Sequence, residues 1–298
     1  MLKKKTCLLL GAGASQHLGF PLGCELRQLM LTRLFDAKGK PAGLGEGLTR
    51  GNEDLSLFYD RLAYGNWSSP DAFLEKHREF IQTGKHLIGN ILSEFEDVRR
   101  ITLQGGWYDR LVSEIHVDDP CKLKDNGLSV VTFNYDRSLD FRLHKYIENQ
   151  FGIEASEAWS LLEDAIKIVH VHGSLGRYPQ STYADKSNIY DWGQDIKIIS
   201  EVEDDTEEFR LASDLLNNAD RVVVLGFGFA ADNVKRLKYF KQTVEEERDI
   251  AIAVGHMRGT AHELATQEWL SQWGLKPRQH FFPYTANQVV DFVPGLFI

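Results

Sequence analysis

Two polar side chains, Asn134 and Asp136, stand directly after the apolar run Leu128–Phe133. A short apolar run bounded by turn residues predicts a buried strand, and ligands of open α/β sheets bind outside the carboxyl ends of the strands. We therefore expect both side chains to face a ligand site. Asn134 is equally compatible with capping a helix that begins at Asp136, and this alternative stays open.

The apolar run Ile166–Val171 contains His170 and is followed directly by His172. Because the two histidines are two residues apart, a strand would place them on one face of the sheet. No carboxylate or cysteine nearby has the spacing to supply further metal ligands, so we predict no metal site. A lone histidine at a strand end is more often a hydrogen-bonding partner than a catalyst, and that alternative also stays open.

Glycines follow two further apolar runs. The first run of the chain leads into Gly11–Ser15, where glycine lets the backbone approach a pyrophosphate at the amide-rich start of the next helix. The run Arg221–Leu225 leads into Gly226 and Phe227. A simple tight turn is the alternative for the first segment, and Gln16 stands where a dehydrogenase fingerprint requires glycine, which disfavours hydride-transfer binding.

These side chains need a sheet that brings the strand ends together. Short apolar runs alternating with helical stretches predict an α/β fold with a Rossmann-like parallel sheet and helices on both faces. The predicted strands are Thr6–Leu10, Leu128–Phe133, Ile166–Val171, Arg221–Leu225, Ile250–Val254 and Gln279–Phe282. We expect one domain over residues 1–298, with helices near Leu22–Leu34 and Ala286–Phe292.

A block of helices is predicted between the first two strands. From Asp54 to Ile115 the apolar residues recur at helical spacing, and Ser69-Pro70-Asp71 is a helix start signal. The glycine-rich stretch Asp36–Gly51 is predicted to be a loop. Together these stretches form a helical insertion over about residues 36–115.

Composition narrows the class of protein. The chain of 298 residues has 34 Lys and Arg against 43 Asp and Glu, a net charge of −9, and no concentrated basic run, which disfavours direct nucleic-acid binding. Its three cysteines cannot form a disulfide framework. No apolar stretch approaches the roughly 18–20 residues of a membrane span. We expect a cytoplasmic protein without a membrane partner.

The order of these motifs resembles the sirtuin family, in its sirtuin-like bacterial branch of antiphage NAD hydrolases. The segments that carry the resemblance are Gly11–Ser15 with Gly19-Phe20-Pro21, Thr132–Asp136, His172-Gly173-Ser174 and Leu225-Gly226-Phe227. Ser69–Leu74 is similar to a helical motif of the same branch. The sirtuin zinc cysteines are missing and Leu22-Gly23-Cys24 replaces the family's Asp-Phe-Arg, so the protein-substrate apparatus is expected to be absent.

The resemblance implies that NAD binds as a substrate, with no metal, and that the helical insertion replaces the sirtuin zinc module. It implies catalytic roles for Asn134 and His172, the latter as the base. The residues that it implies for cofactor binding are Gly11, Ala12, Gly13, Ser15, Pro21, Asp136, Gly226 and Phe227.

The implied activity is cleavage of the nicotinamide–ribose bond to nicotinamide and ADP-ribose, as an NAD-depleting effector in antiphage defence. A freely active NAD hydrolase would drain its own cell, so we expect control by a homo-oligomer or by a partner such as an ATPase or an Argonaute-like defence protein. Two alternatives stay open: a sirtuin-type ADP-ribosyl transferase or deacylase, and a non-catalytic module that senses NAD or ADP-ribose.

Overall fold

The computed structural model describes residues 1–37, 55–67, 69–186, 193–198, 206–228, 231–237 and 249–253. Its five described strands form one parallel sheet in the order β3-β2-β1-β4-β5. The strands are β1 Thr6–Leu10, β2 Leu128–Thr132, β3 Lys167–His170, β4 Arg221–Leu225 and β5 Asp249–Ala253. The predicted α/β class with a Rossmann-like parallel sheet is confirmed.

The strand order reverses beside β1, because the chain adds β2 and β3 on one side of it and β4 and β5 on the other. The register keeps the strand ends level. Leu10 lies opposite Thr132 and Leu225. The residues that follow these strands therefore emerge together at the topological switch point of the sheet, where ligands bind in open α/β folds.

The strand predictions were correct to within one residue at every described end. The bounds of β1 and β4 match, β2 lacks Phe133, β3 is one residue shorter at each end, and β5 begins one residue earlier. The predicted strand Gln279–Phe282 and the predicted helix Ala286–Phe292 lie outside the described residues.

Ten α-helices are described. They are α1 Gly23–Ala37, α2 Leu55–Tyr64, α3 Pro70–Lys76, α4 Ile81–Ser93, α5 Val98–Leu103, α6 Trp107–Ile115, α7 Ser138–Phe151, α8 Ala155–Ala165, α9 Glu207–Asn217 and α10 Ala231–Arg236. The helices α2 to α6 lie between β1 and β2, in the stretch that was predicted to be helical. The prediction of a loop from residue 36 was wrong at its start, because α1 continues to Ala37; residues 38–51 lie outside the described part.

Helices cover both faces of the sheet. Successive β1 side chains point to opposite faces, so Leu8 and Leu10 pack under the helical insertion and α7, while Cys7 and Leu9 pack under α9 and α10. All five residues of β1 are buried. Burial on both faces explains why this strand reads as a continuous apolar run instead of an alternating pattern.

The start of α3 follows the signal seen in the sequence. The Ser69 hydroxyl accepts a hydrogen bond of 3.2 Å from the Ala72 amide, and Pro70 occupies the first helical turn. This cap fixes where the helix begins, and so it fixes the place of Asp71 in the first turn. Among the described residues, no helix is both long enough and apolar enough to cross a membrane.

Candidate functional site

A cavity of about 480 Å³ opens at the carboxyl edge of the sheet, next to the strand order reversal. Its volume lies within the range of small-molecule and cofactor sites. Eight of the ten predicted site residues line it: Gly11, Ala12, Ser15, Pro21, Asn134, Asp136, His172 and Phe227. Segments far apart in the chain therefore meet around one space, as the strand-end argument requires.

The other two predicted residues, Gly13 and Gly226, lie beside the cavity and hold two turns together. The Gly13 amide donates a hydrogen bond of 3.1 Å to the Gly226 carbonyl. A Cβ on Gly13 would lie 2.8 Å from the Gly226 Cα, and one on Gly226, whose φ is 62°, would lie 2.1 Å from the Ala14 nitrogen. The two glycines therefore allow the turns after β1 and β4 to touch.

The turn after β1 does not lead straight into a helix. It forms two short 3₁₀ turns, Ala12–Ala14 and Gln16–Leu18, and α1 begins only at Gly23. Four of its amides already donate to backbone carbonyls, those of Gly11, Gly13, Ala14 and Ser15. A cradle made from these four amides for a pyrophosphate is therefore not formed in this structure, although the surface of the turn does line the cavity.

Ser15 connects this turn with the end of β2. Its hydroxyl donates a hydrogen bond of 2.7 Å to Asp136 Oδ2 and accepts one of 3.1 Å from Asn134 Nδ2. Asp136 Oδ1 in turn accepts from the Ser138 amide at 3.1 Å, at the start of α7. Asp136 thus performs the helix-start role that was an alternative for Asn134, and Asn134 turns its side chain towards the site.

His172 is buried at the cavity wall, between the rings of Phe133 and Phe209, which lie edge-on to it at centroid distances of 5.4 and 5.7 Å. Burial lowers the pKa of His172 below its ordinary value, and this effect outweighs the opposing influence of Asp71 and of the hydrogen bond to Asn233. The ring is therefore neutral at neutral pH, as a proton acceptor must be.

The hydrogen bonds of His172 distinguish its two nitrogens. Nε2 lies 3.2 Å from Asn233 Oδ1, an acceptor, so this contact assigns the ring proton to Nε2. Nδ1 is buried and has no hydrogen-bond partner among the residues that the structure describes. A buried polar atom without a partner carries a free-energy penalty that a ligand hydroxyl at this atom would remove.

The prediction that His170 and His172 share one face was wrong. The strand ends at His170 and the chain turns, since Gly173 has a φ of 69°. His170 contacts Asp140 and lines a second cavity of about 360 Å³, while His172 lines the first. Side chains two positions apart share a face only within a strand, and His172 lies beyond the end of β3.

The helical insertion supplies cavity residues that the sequence did not single out as site residues. Asp71 and Glu75 on α3 line the cavity, and Asp71 accepts a hydrogen bond from the Tyr135 hydroxyl. Asn233 on α10, one of the polar residues that follow β4 in the sequence, also lines it. Asp71 lies in the Ser69–Leu74 motif that was noted in the sequence, so a signal for it existed, whereas nothing in the sequence marked Glu75.

The acidic side chains in the described lining of the cavity outnumber the basic ones. Its lining includes the carboxylates of Asp71, Glu75 and Asp136, and its described lining contains no Lys or Arg. Apolar walls from Phe20, Phe133 and Phe227 surround these groups. Within the described ranges no cluster of three or more potential ligands is placed to hold a metal ion. Such a site suits a flat, cationic organic group.

No family model matches the chain in a comparison with known protein families, and a search of curated proteins finds no match. The fold and the site define an α/β protein with a Rossmann-like parallel sheet and a ligand cavity at the switch point, closed on one side by a helical insertion.

Proposed function

We propose that this protein cleaves the nicotinamide–ribose bond of NAD, giving nicotinamide and ADP-ribose. The observation that carries the proposal is the meeting of Asn134 and His172, two strand-end residues, in one cavity with three carboxylates. The order of the motifs along the chain, which resembles that of the sirtuins, supports the same substrate.

The charge of the cavity supports this reaction in particular. Loss of nicotinamide leaves positive charge on the ribose in an oxocarbenium-like transition state, as in glycoside hydrolysis. The nicotinamide ring of NAD is itself a cation before the bond breaks. Carboxylates in a partly apolar cavity favour both charges, and Asp136 and Asp71 are held in place there by hydrogen bonds from Ser15 and Tyr135.

Asn134 and His172 receive distinct roles. Because Asn134 Nδ2 is engaged by Ser15, we assign its Oδ1 to the water or ribose hydroxyl beneath the anomeric carbon. His172 accepts a proton from a ribose hydroxyl or from the attacking water, at the Nδ1 atom that has no partner among the described residues. The hydroxyl would satisfy that atom while its proton is transferred.

The test is an incubation of the purified chain with NAD, followed by chromatography of nicotinamide and ADP-ribose. A positioned acid–base group contributes about 10²–10⁴ in rate, so His172→Ala should lose turnover by that factor, and Asn134→Ala should lose it strongly too. His116→Ala and Asn149→Ala are matched controls, because both residues are exposed and lie outside the cavity lining. Undiminished turnover in a folded His172→Ala variant would contradict the assignment.

The products separate this reaction from its alternatives. Free ADP-ribose supports hydrolysis, a modified acceptor indicates a transferase or deacylase, and tight NAD binding without any product indicates a sensing module.

We further propose that the reaction depletes NAD in antiphage defence and is restrained by self-assembly or by a partner such as an ATPase or Argonaute-like protein. A monomer that cleaves NAD without restraint would contradict the proposed control.

A further inference from the structure

His170, the last residue of β3, lies between two hydrogen-bond acceptors. Its Nδ1 is 3.1 Å from the backbone oxygen of Asn134, and its Nε2 is 3.2 Å from Asp140 Oδ2. A carbonyl and a carboxylate can only accept, so both ring nitrogens must carry a proton to make both bonds. The contacts therefore specify an imidazolium ion, whereas burial lowers the pKa of His172, two residues away, and favours its neutral ring.

The electrostatics of the surroundings agree with this assignment. Burial of His170 lowers its pKa, but the Asp140 carboxylate, the hydrogen bonds to Asp140 and Asn134, and the charge of Asp136 together raise it above the ordinary value. Among the described residues, the other charged groups that line the second cavity with His170 are Arg137, Glu163, Lys167 and Arg177. Arg137 is itself neutralised by a buried ion pair with Glu96.

Asn134, which is bonded to His170, is held in place by three hydrogen bonds. The Asn134 amide donates to Thr132 Oγ1 at 3.1 Å, its side chain donates to Ser15, and its carbonyl accepts from His170. Of these three contacts only the one to His170 depends on a proton that titrates near neutral pH. The position of Asn134 is therefore linked to the protonation state of His170.

We infer that His170 is a positioning residue for the proposed cleavage of NAD: as an imidazolium clamped by Asp140, it holds the main chain of Asn134 in place, and loss of its proton releases that residue. The inference rests on the proposed function for its catalytic consequence. When the proton is lost, the remaining N–H turns to the carboxylate, which is the stronger acceptor. The Nδ1 lone pair then faces the Asn134 carbonyl, and the two repel each other.

Asp140→Asn is the sharpest variant because it keeps the shape of the side chain and reverses its hydrogen bonding. The introduced amide can donate to Nε2, so a neutral ring keeps its proton on Nδ1 and its bond to Asn134. In the native chain kcat should fall as pH rises through the raised pKa of His170, and in Asp140→Asn this alkaline fall should be absent.

His170→Gln should reduce kcat by about tenfold to a hundredfold with a smaller change in KM, since misplaced groups cost such factors.

His116→Gln serves as the control, because His116 is exposed and lies outside both cavities. Urea denaturation of each variant establishes that it is folded. If the native chain cleaves NAD, an unchanged kcat in folded His170→Gln, or an alkaline fall retained in Asp140→Asn, overturns the inference while the proposed function stands.

Nuclear magnetic resonance tests the positioning without any turnover. The ring ¹⁵N shifts of His170 should show two protonated nitrogens at neutral pH, and the Asn134 carbonyl ¹³C shift should move with the titration of that ring in the native chain. In Asp140→Asn the carbonyl shift should stay nearly constant. If no NAD is cleaved, the proposed function fails, and these shifts alone decide the coupling: a neutral His170 ring or an unmoved Asn134 carbonyl in the native chain overturns it.

Discussion

The Ser15 hydroxyl donates a hydrogen bond of 2.7 Å to the carboxylate of Asp136, across 121 positions of the chain. The same hydroxyl accepts from Asn134, and the Trp107 indole on α6 donates to the neighbouring Ala14 carbonyl. The turn that carries Ser15 thus links the ends of β1 and β2 with the helical insertion. The glycine-rich turn after β1 contributes to the site through this anchored side chain as well as through its backbone.

Ser15→Ala should lower both stability and activity. It removes the partner of a buried carboxylate and of the Asn134 amide, and such a loss costs about 1–3 kcal/mol. Urea denaturation measures the change in the free energy of unfolding, and the nicotinamide assay measures turnover. Ser113→Ala is the control, because this exposed serine only donates to the Asp109 carbonyl within its own helix. Equal stability of the two variants would contradict the proposed anchoring role.

Gly226→Ala should be strongly destabilising. Its backbone is left-handed, which alone costs an L-residue about 1–2 kcal/mol, and its Cβ would lie 2.1 Å from the Ala14 nitrogen. Gly152→Ala separates the two causes, since Gly152 is also left-handed but has nothing within 4 Å of its Cβ position. Thermal unfolding should therefore show a much larger loss for Gly226→Ala; similar losses would mean that the close approach of the two turns is unimportant.

Gly13→Val should disturb the packing of the turns after β1 and β4, because the added side chain would meet the Gly226 Cα at 2.8 Å. We therefore expect the variant to lose stability along with NAD affinity, as measured by thermal unfolding and by calorimetric titration. A fully stable Gly13→Val protein with weakened NAD binding would instead support direct contact with the cofactor.

Glu96 and Glu94, two positions apart, should differ sharply in their contribution to the free energy of unfolding. Glu96 is fully buried and pairs with Arg137 through two hydrogen bonds of 2.9 and 2.7 Å, which connect the helical insertion to α7. Its replacement leaves an uncompensated buried charge, so Glu96→Ala should cost about 3–5 kcal/mol. Glu94 pairs with Arg33 at the surface, and Glu94→Ala should cost about 1 kcal/mol or less. Urea denaturation of both variants checks the contrast; equal costs would contradict it.

At mildly acidic pH, the protonation of His172 should lower the stability of the fold. Its pKa is lowered by burial in the folded state, so between that value and the ordinary 6.5 the unfolded chain binds more protons. The free energy of unfolding therefore falls as pH decreases through this window. In His172→Gln this part of the slope should disappear. Urea midpoints measured across mildly acidic pH test this prediction. An unchanged slope in His172→Gln would contradict a buried, neutral His172.

The titration of His170 should have the opposite effect, with stability lost as pH rises. Its pKa is raised in the folded state, so its contribution is complete below the ordinary 6.5 and is lost as pH rises through the folded value. His170→Gln should thus leave the acid slope in place and flatten the alkaline one. The same urea series tests this, with His172→Gln as the matched variant.

Local patterns were sufficient for the strands and for most of the site. β1 and β4 could be placed to the residue because a strand buried on both faces needs a continuous apolar run, which the sequence shows directly. Asn134, Asp136 and His172 were found because the end of a parallel strand is also the edge where ligands bind. Both features depend only on residues that are neighbours in the chain.

The remaining features depend on contacts between distant segments. Glu75 reaches the cavity only because α3 packs over the strand ends, and no local pattern encodes that packing. Gly13 and Gly226 were predicted to leave room for a cofactor. In the structure, the turns after β1 and β4 fill that space by packing against each other.

The amino-acid sequence by itself determined the α/β class, the positions of the strands and the polar residues that follow them, because burial and turn formation depend on residue type over a few positions. Only the tertiary structure decided which of those residues face one another. It separated His170 from His172 into two cavities and assigned them opposite protonation states, since hydrogen-bond partners and burial are set by the segments that pack around each ring.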